Sequence, residues 1–383
     1  MAGGIEDRGI ASVELLDAPV SFARSEGIDL VRALFALWVM FAHLVPWAGL
    51  VSDGSILLRF LFVGLGRVFQ PAAETHPAVL GFIVLSGYCI HRNGFRRQEG
   101  SPRTYAIRRF FRIVPVYVLA SIVGVLGFLG SSAIAPGTAM MLSGTQSISV
   151  NCMAAKFTGI SVFMPSFHEC SFQGNAPLTT VMVEIWLYAL YALIVFTLLR
   201  SGKERIFWAW LAVLSTLGAI YAYRHPHLLP WWHNGSLLGF ALYWWIGAKF
   251  LDPAFRETVR KWRGLTFIGW SIITVCLVLK FPDWPFLPEV RKVMFAILIG
   301  SLITEIDLRN FQIFRFGAAL GKAGYSIYAF HAPLLVYFLL SGLPWGLVAV
   351  LTIGASLVIY AAYEAPFIRL GKIAARPLVR VPG

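Results

Sequence analysis

An arginine and a histidine in one apolar stretch are the first residues whose types and spacing suggest chemistry. Arg32 precedes a run of apolar residues that ends at His43. At about 100° per residue the two return to within ~20° of one helix face, roughly 16 Å apart along the axis. Asp29 stands one turn before Arg32, placed to pair with it. Ionisable groups carried into such a stretch are costly and mark sites or pathways. The plainer reading of His43 is an interfacial histidine hydrogen-bonded to a neighbouring helix.

Other blocks raise the same question. In Arg108-Arg109-Phe110-Phe111-Arg112-Ile113-Val114-Pro115, Arg109 and Arg112 share a face at i,i+3. Two guanidinium groups there suit a bidentate grip on phosphate oxygens, and they equally suit anchoring a helix at a membrane edge. Glu184 stands within Val181–Tyr188, where a lone carboxylate needs a partner or a proton, and an acid, base or ligand-binding role follows. In Phe82-Ile83-Val84-Leu85-Ser86-Gly87-Tyr88, Gly87 permits close approach and Ser86 and Tyr88 offer hydroxyls, although small residues are also ordinary helix-packing positions. Tyr325, Tyr328 and His331 form a further block, with His331 expected on the cytoplasmic half, away from the depth of His43. Glu364 precedes Pro366 and reads as an interfacial acid. His225, His227 and His233 crowd one loop without an acid or cysteine beside them, so no metal is expected. Trp231 and Trp232 in that loop are suited to stacking on sugar faces.

The elements that must position these residues are membrane helices. Hydrophobic residues make up 58% of 383, charged residues 13%, and mean hydropathy is +0.71, against about 25% charge in soluble chains. A crossing needs about 20 mainly apolar residues. Candidates fall near 30–49, 71–90, 113–131, 179–199, 206–223, 235–251, 264–281, 290–304, 323–340 and 345–362. Ile56–Phe69 contains Arg59 and Arg67 and reads as an interfacial helix. The fold class is therefore all-α, a polytopic transmembrane bundle of about ten spans. Residues 1–27 are polar without a cleavable signal pattern, so the first span is expected to act as its own insertion signal.

Charge orients the bundle. Of the 32 lysines and arginines, 25 fall on the side that holds both termini and 7 on the other. The positive-inside rule then places both termini in the cytoplasm, so the net charge of +13 reflects topology and not nucleic-acid binding. The largest outward loop, about 132–178, holds Cys152 and Cys170, which outside the cytosol could form a disulfide. Cys89 and Cys276 lie within spans.

Taken in order, these blocks resemble the acyltransferase-3 family, the membrane O-acyltransferases that decorate bacterial glycans. The resemblance covers 28–367, between a cytoplasmic segment 1–27 and a basic cytoplasmic tail 368–383. It rests on Arg32 and His43, on Phe82, Ser86, Gly87 and Tyr88, and on Arg109, Arg112 and Pro115. Glu184 with Tyr188, Tyr325 with Tyr328 and His331, and Glu364 with Pro366 complete it. The chain departs from the family at Thr179-Thr180, where Trp-Ser is frequent, at Gly324, where serine is usual, and at Phe35, where a small residue is common. The resemblance implies an enzyme of the bacterial cytoplasmic (inner) membrane that moves an acyl group, acetyl in the first instance, from cytosolic acyl-CoA to a hydroxyl of a glycan or lipid-linked sugar. His43 would be general base or acyl carrier, with Arg32 and Glu184 in the catalytic set. Arg109, Arg112, Ser86, Tyr88, Tyr328 and His331 would hold the acyl-CoA. The competing class is a proton-coupled transporter or lipid flippase with a midplane site, which would call for inverted repeats or matched broken helices; none stands out.

Overall fold

The computed structural model describes residues 26–51, 74–96, 102–195, 203–280, 286–308 and 315–375, with the single positions 60, 64, 70 and 284. Among the described residues every regular element is a helix, and no strand occurs. Most of the expected interfacial helix Ile56–Phe69, nearly all of the N-terminal segment and the tail beyond 375 lie outside the described residues.

Each expected crossing falls on a helix. They are α1 (Glu26–Val51), α2 (Pro77–Arg96) and α3 (Pro102–Ile134), then α4 (Pro136–Ser143) and α5 (Val150–Thr158) in the outer loop. Next come α6 (Leu178–Ile194), α7 (Glu204–Arg224), the short α8 (Leu229–Asn234), α9 (Leu237–Lys249) and α10 (Pro253–Val278). The chain continues through α11 (Leu287–Leu308), α12 (Arg315–Lys322), α13 (Gly324–Leu340) and α14 (Trp345–Ile359), which runs through a π turn at Tyr360–Glu364 into α15 (Ala365–Ala374). Five of these stretches are long and apolar enough to cross a bilayer, and Pro77–Arg92, Leu178–Ile194 and Gly324–Leu340 are shorter apolar helices. The second crossing starts later than the hydropathy suggested, because Pro77 opens the helix at its first turn, where a missing N–H does no harm.

Position in the bundle follows from which faces are apolar and packed. Helix α9 has 13 residues, too short to span ~30 Å of hydrocarbon. It is buried along nearly its whole length, from Leu237 to Ala248, as expected of a helix that is apolar all round. It meets α2 at very short range. A Cβ on Gly87 would lie 1.8 Å from the carbonyl oxygen of Trp244, and one on Gly247 would lie 2.0 Å from that of Val84. Helix α10 is the opposite case, with only Val259 and Thr274 buried. Helices α1, α12 and α13 pack as a second unit, in which a Cβ on Gly324 would meet Cγ of Arg32 at 2.9 Å. That contact accounts for glycine at this position.

The outer loop folds as a cap over α3 and α6. Cys152 and Cys170 are joined by a disulfide, so the pairing that spacing left open is made. Cys89 and Cys276 are not disulfide-bonded. Lys156 on α5 is 1% exposed and donates to the carbonyl oxygens of Phe172 at 2.9 Å and Asn175 at 3.4 Å. Asn175 in turn reaches into the bundle. Pro333 inside α13 has no N–H for the Ala329 carbonyl one turn before it. The Asn175 side-chain amide donates to that oxygen at 2.9 Å and to the Ala120 carbonyl at 3.2 Å. The cap thus satisfies a carbonyl that the proline leaves unpaired.

Two outcomes follow. Gly87→Val should force α2 from α9 at a cost of about 1–3 kcal/mol or more, seen as a lower melting temperature in detergent. Gly264→Ala, where nothing lies within 4 Å of the new methyl, should not lower it. Burial pushes the Lys156 ammonium down to about 7, whereas in the unfolded chain it stays protonated to about 10.4. Between those values the unfolded state binds more protons, so stability rises with pH. The melting temperature of the wild type relative to Lys156→Met should therefore climb from about pH 7 to about pH 9; a flat difference would show that the amine stays charged.

Candidate active site

Two histidines on neighbouring helices form the centre of the site. His331 Nε2 lies 3.1 Å from His43 Nδ1, with the rings stacked at 5.1 Å. His331 Nδ1 is 2.7 Å from the carbonyl oxygen of Tyr328, and His43 Nδ1 is 3.1 Å from that of Val39. A carbonyl only accepts, so His331 carries its proton on Nδ1 and offers a lone pair at Nε2. His43 Nδ1 faces two acceptors and is therefore its protonated nitrogen. The free lone pair of His43 is consequently on Nε2, where it can take a proton from a hydroxyl. His331 is fully buried, and His43 is only partly so. The ring of Trp47 lies 5.0 Å from His43.

This contact corrects the expectation that His331 sits at a different depth from His43. Helix α13 begins beside Arg32 at Gly324, so the seven residues to His331 and the eleven to His43 start from one level. Helical side chains lean toward the N-terminus. Both histidines do so, His43 over Val39 and His331 over Tyr328, and their rings meet although four residues of helix rise, about 6 Å, separate their backbones in this count.

A second cluster surrounds Glu184 on α6. Ser86 Oγ donates to Glu184 Oε1 at 2.6 Å and lies 2.8 Å from the Tyr188 hydroxyl, which also donates to Glu184. Trp244 Nε1 donates to Ser86 Oγ at 3.1 Å. Gly87 allows this, because without the close approach of α2 and α9 the indole could not reach Ser86. The carboxylate that the sequence left alone thus has three donors around it through Ser86 and Tyr188, two directly and Trp244 at one remove.

The arginines gather at the expected cytoplasmic end. The Arg109 guanidinium lies 5.8 Å from the ring centres of both Tyr105 and Tyr188, in cation–π range. Its Nε is buried without a hydrogen-bond partner among the described residues. The charges of Arg32 and Arg109 act on Arg112. Arg32 is paired with Asp29 at 2.5 Å. The charge of Glu364 acts on Arg112 as well, so the cluster contains carboxylates beside its arginines.

These groups connect. Arg109 stacks on Tyr188, Tyr188 donates to Glu184, and Glu184 acts electrostatically on Tyr328. The Tyr328 ring lies 5.8 Å from His331. The arginines and the histidine pair are thus joined by neighbouring polar side chains, Tyr188, Glu184 and Tyr328.

Other expected site residues have different partners. Tyr88 donates to Asp307 Oδ2 at 2.7 Å, and Arg92 Nε lies 2.9 Å from the same oxygen. The Tyr328 hydroxyl pairs with Thr180 and donates to the Pro177 carbonyl at 3.3 Å. Glu364, read as an ordinary interfacial acid, is 1% exposed and accepts from Ser326 at 2.6 Å. Phe35 fills the space over Gly81. Trp232 does not face outward for stacking: it is 3% exposed and donates to Glu289 at 3.0 Å. Asp307, Trp244 and Asn175 were missed. Only Asp307 carries a sequence signal, as an acid at the end of a span.

A helical membrane bundle enclosing a histidine pair, with an arginine cluster toward one end, defines the class of protein. The chain matches the model of the acyltransferase-3 family, an acyltransferase domain, over residues 25–364, and it belongs to that family. Comparison with curated proteins and with solved structures returned no match.

Proposed function

We propose that this chain transfers an acyl group, acetyl in the first instance, from cytosolic acyl-CoA to a hydroxyl of a glycan or lipid-linked sugar at the outer face of the bacterial cytoplasmic membrane. The observation that carries the reading is the ordered pair of imidazoles, which leaves a lone pair on His43 Nε2. His43 removes the acceptor's proton, the resulting oxygen attacks the thioester carbonyl, and the carbon–sulfur bond breaks. The proton then passes from His43 to the departing thiolate. The Val39 carbonyl and His331 together hold His43 in the tautomer this requires, His331 as a positioning residue.

The rest of the site supports the same direction of transfer. Arg109 and Arg112, with Arg32 nearby, suit the phosphates of coenzyme A. The charge bias of 25 to 7 puts them on the cytosolic side. The neighbouring polar side chains Tyr188, Glu184 and Tyr328 mark the direction the extended arm of the donor takes toward His43. Acetyl is favoured because a short chain needs no long groove toward lipid.

Thiol release from acetyl-CoA by the full chain in lipid nanodiscs tests these roles. His43→Ala should lower kcat by about 10²–10⁴-fold with the acetyl-CoA KM unchanged. His331→Phe should lower kcat and also alter its pH profile, because His43 loses a buried imidazole neighbour and keeps only the Val39 carbonyl at Nδ1. Arg109→Ala and Arg112→Ala should each raise the acetyl-CoA KM by about tenfold or more. Undiminished transfer by His43→Ala would refute its assignment, and unchanged acetyl-CoA binding by the double arginine variant would remove the clamp.

A further inference from the structure

One side chain of the cap reaches past it into the helix that carries His331, and the proposed reaction gives it no role. Asn175 is 1% exposed and stands where the cap is pressed onto α3. A Cβ on Gly174 would lie 2.1 Å from the Gly124 carbonyl oxygen, and Gly174 has a φ of +79°, a conformation that suits glycine. A Cβ on Gly124 would lie 2.8 Å from Asn175 Cβ. The loop is held there from several sides. The Gly174 N–H donates to Thr145 Oγ1 at 2.8 Å, and the Asn175 N–H to the Phe172 carbonyl at 2.7 Å. The Lys156 ammonium binds the Phe172 and Asn175 carbonyls from the other side. The Cys152–Cys170 disulfide ties α5 to the segment that leads into this turn.

The Asn175 amide nitrogen faces two carbonyl oxygens, Ala120 on α3 and Ala329 on α13. Carbonyls only accept, so both amide N–H bonds are committed and the amide has a single orientation. The two acceptors differ in need. Inside α3 the Ala120 carbonyl also has the N–H of Gly124, four residues on in the same helix. The Ala329 carbonyl has no such donor, because residue 333 is proline. Asn175 supplies from the cap the bond that α13 cannot make for itself.

His331 lies inside the turn that the proline interrupts, between Ala329 and Pro333. The carbonyl next to that of Ala329 belongs to Tyr328, and it accepts from His331 Nδ1 at 2.7 Å. The two peptide planes meet at the Ala329 Cα, so turning one shifts the other. Helices hinge where proline breaks the ladder. Holding the Ala329 carbonyl therefore steadies the oxygen that orients His331, whose Nε2 meets His43 at 3.1 Å.

We infer that Asn175 is a positioning residue for acyl transfer: it locks the interrupted turn of α13 against α3, and so sets where His331 meets His43. This rests on the transferase reading above. The geometry of the imidazole pair then depends on the folded cap, whose disulfide and buried lysine place Asn175.

The test measures thiol release from acetyl-CoA by the full chain in nanodiscs, with methyl β-D-glucopyranoside supplying the hydroxyl. The folded fraction is read from the same samples. Asn175→Leu keeps a branched side chain of similar size and removes the donor; Asn175→Ala is the second variant. Each is made alone and together with Pro333→Ala, which returns an N–H to the Ala329 carbonyl and keeps the Cβ that packs over Gly127. Alone, both Asn175 variants should lower kcat per folded molecule by about tenfold to a hundredfold, with the acetyl-CoA KM unchanged. In the Pro333→Ala background the same substitutions should cost about twofold or less, because the helix then makes the bond itself. Unchanged kcat, equal losses in both backgrounds, or variants that fold in neither background would overturn the positioning role. A raised acetyl-CoA KM at unchanged kcat would also overturn it. A wild type that neither binds acetyl-CoA nor releases thiol from it would overturn the transferase reading itself.

Discussion

The bilayer interior supplies no water, so every polar group carried into this bundle must be matched by protein. That constraint explains why the site residues come in sets. His43 is held by His331, and His331 by a backbone carbonyl. Glu184 is surrounded by hydroxyls from α2 and α6, and Ser86 is held in turn by an indole of α9. Each set links helices distant in the chain, so the bonds that neutralise the cost of burial also fix the relative positions of the spans. The same groups serve packing and site geometry together.

The two ends of the bundle solve the problem differently. At the arginine end, Arg109 stacks on tyrosine rings, Arg32 pairs with Asp29, and the charge of Glu364 acts on Arg112. At the outer end, charges of both signs are interleaved: Arg291 pairs with Glu74, and Lys292 with Glu289. The middle of the bundle holds uncharged hydroxyls and imidazoles, with Glu184 the carboxylate among them.

Much of this was legible in the sequence because membrane helices advertise themselves by length and hydropathy. The ten apolar runs, the charge asymmetry and the ionisable residues within spans required no partner to be recognised. What stayed hidden was pairing between helices. His331 was placed at the wrong depth because position in an apolar run says nothing of where that helix starts relative to its neighbour. Glu364 and Trp232 read as surface groups because their partners, Ser326 and Glu289, lie 38 and 57 residues away. Asn175 gave no sign at all, since its task is set by a proline 158 residues later.

That last link bears on assembly. Asn175 precedes Ala329, whose carbonyl it serves, by 154 residues in the chain. Synthesis therefore delivers the cap first and the helix that carries His331 much later. Until α13 inserts, the Asn175 amide and His43 both lack the partners that define their geometry. The imidazole pair therefore needs α13 in place beside α1, and the same helix carries the carbonyl that Asn175 caps.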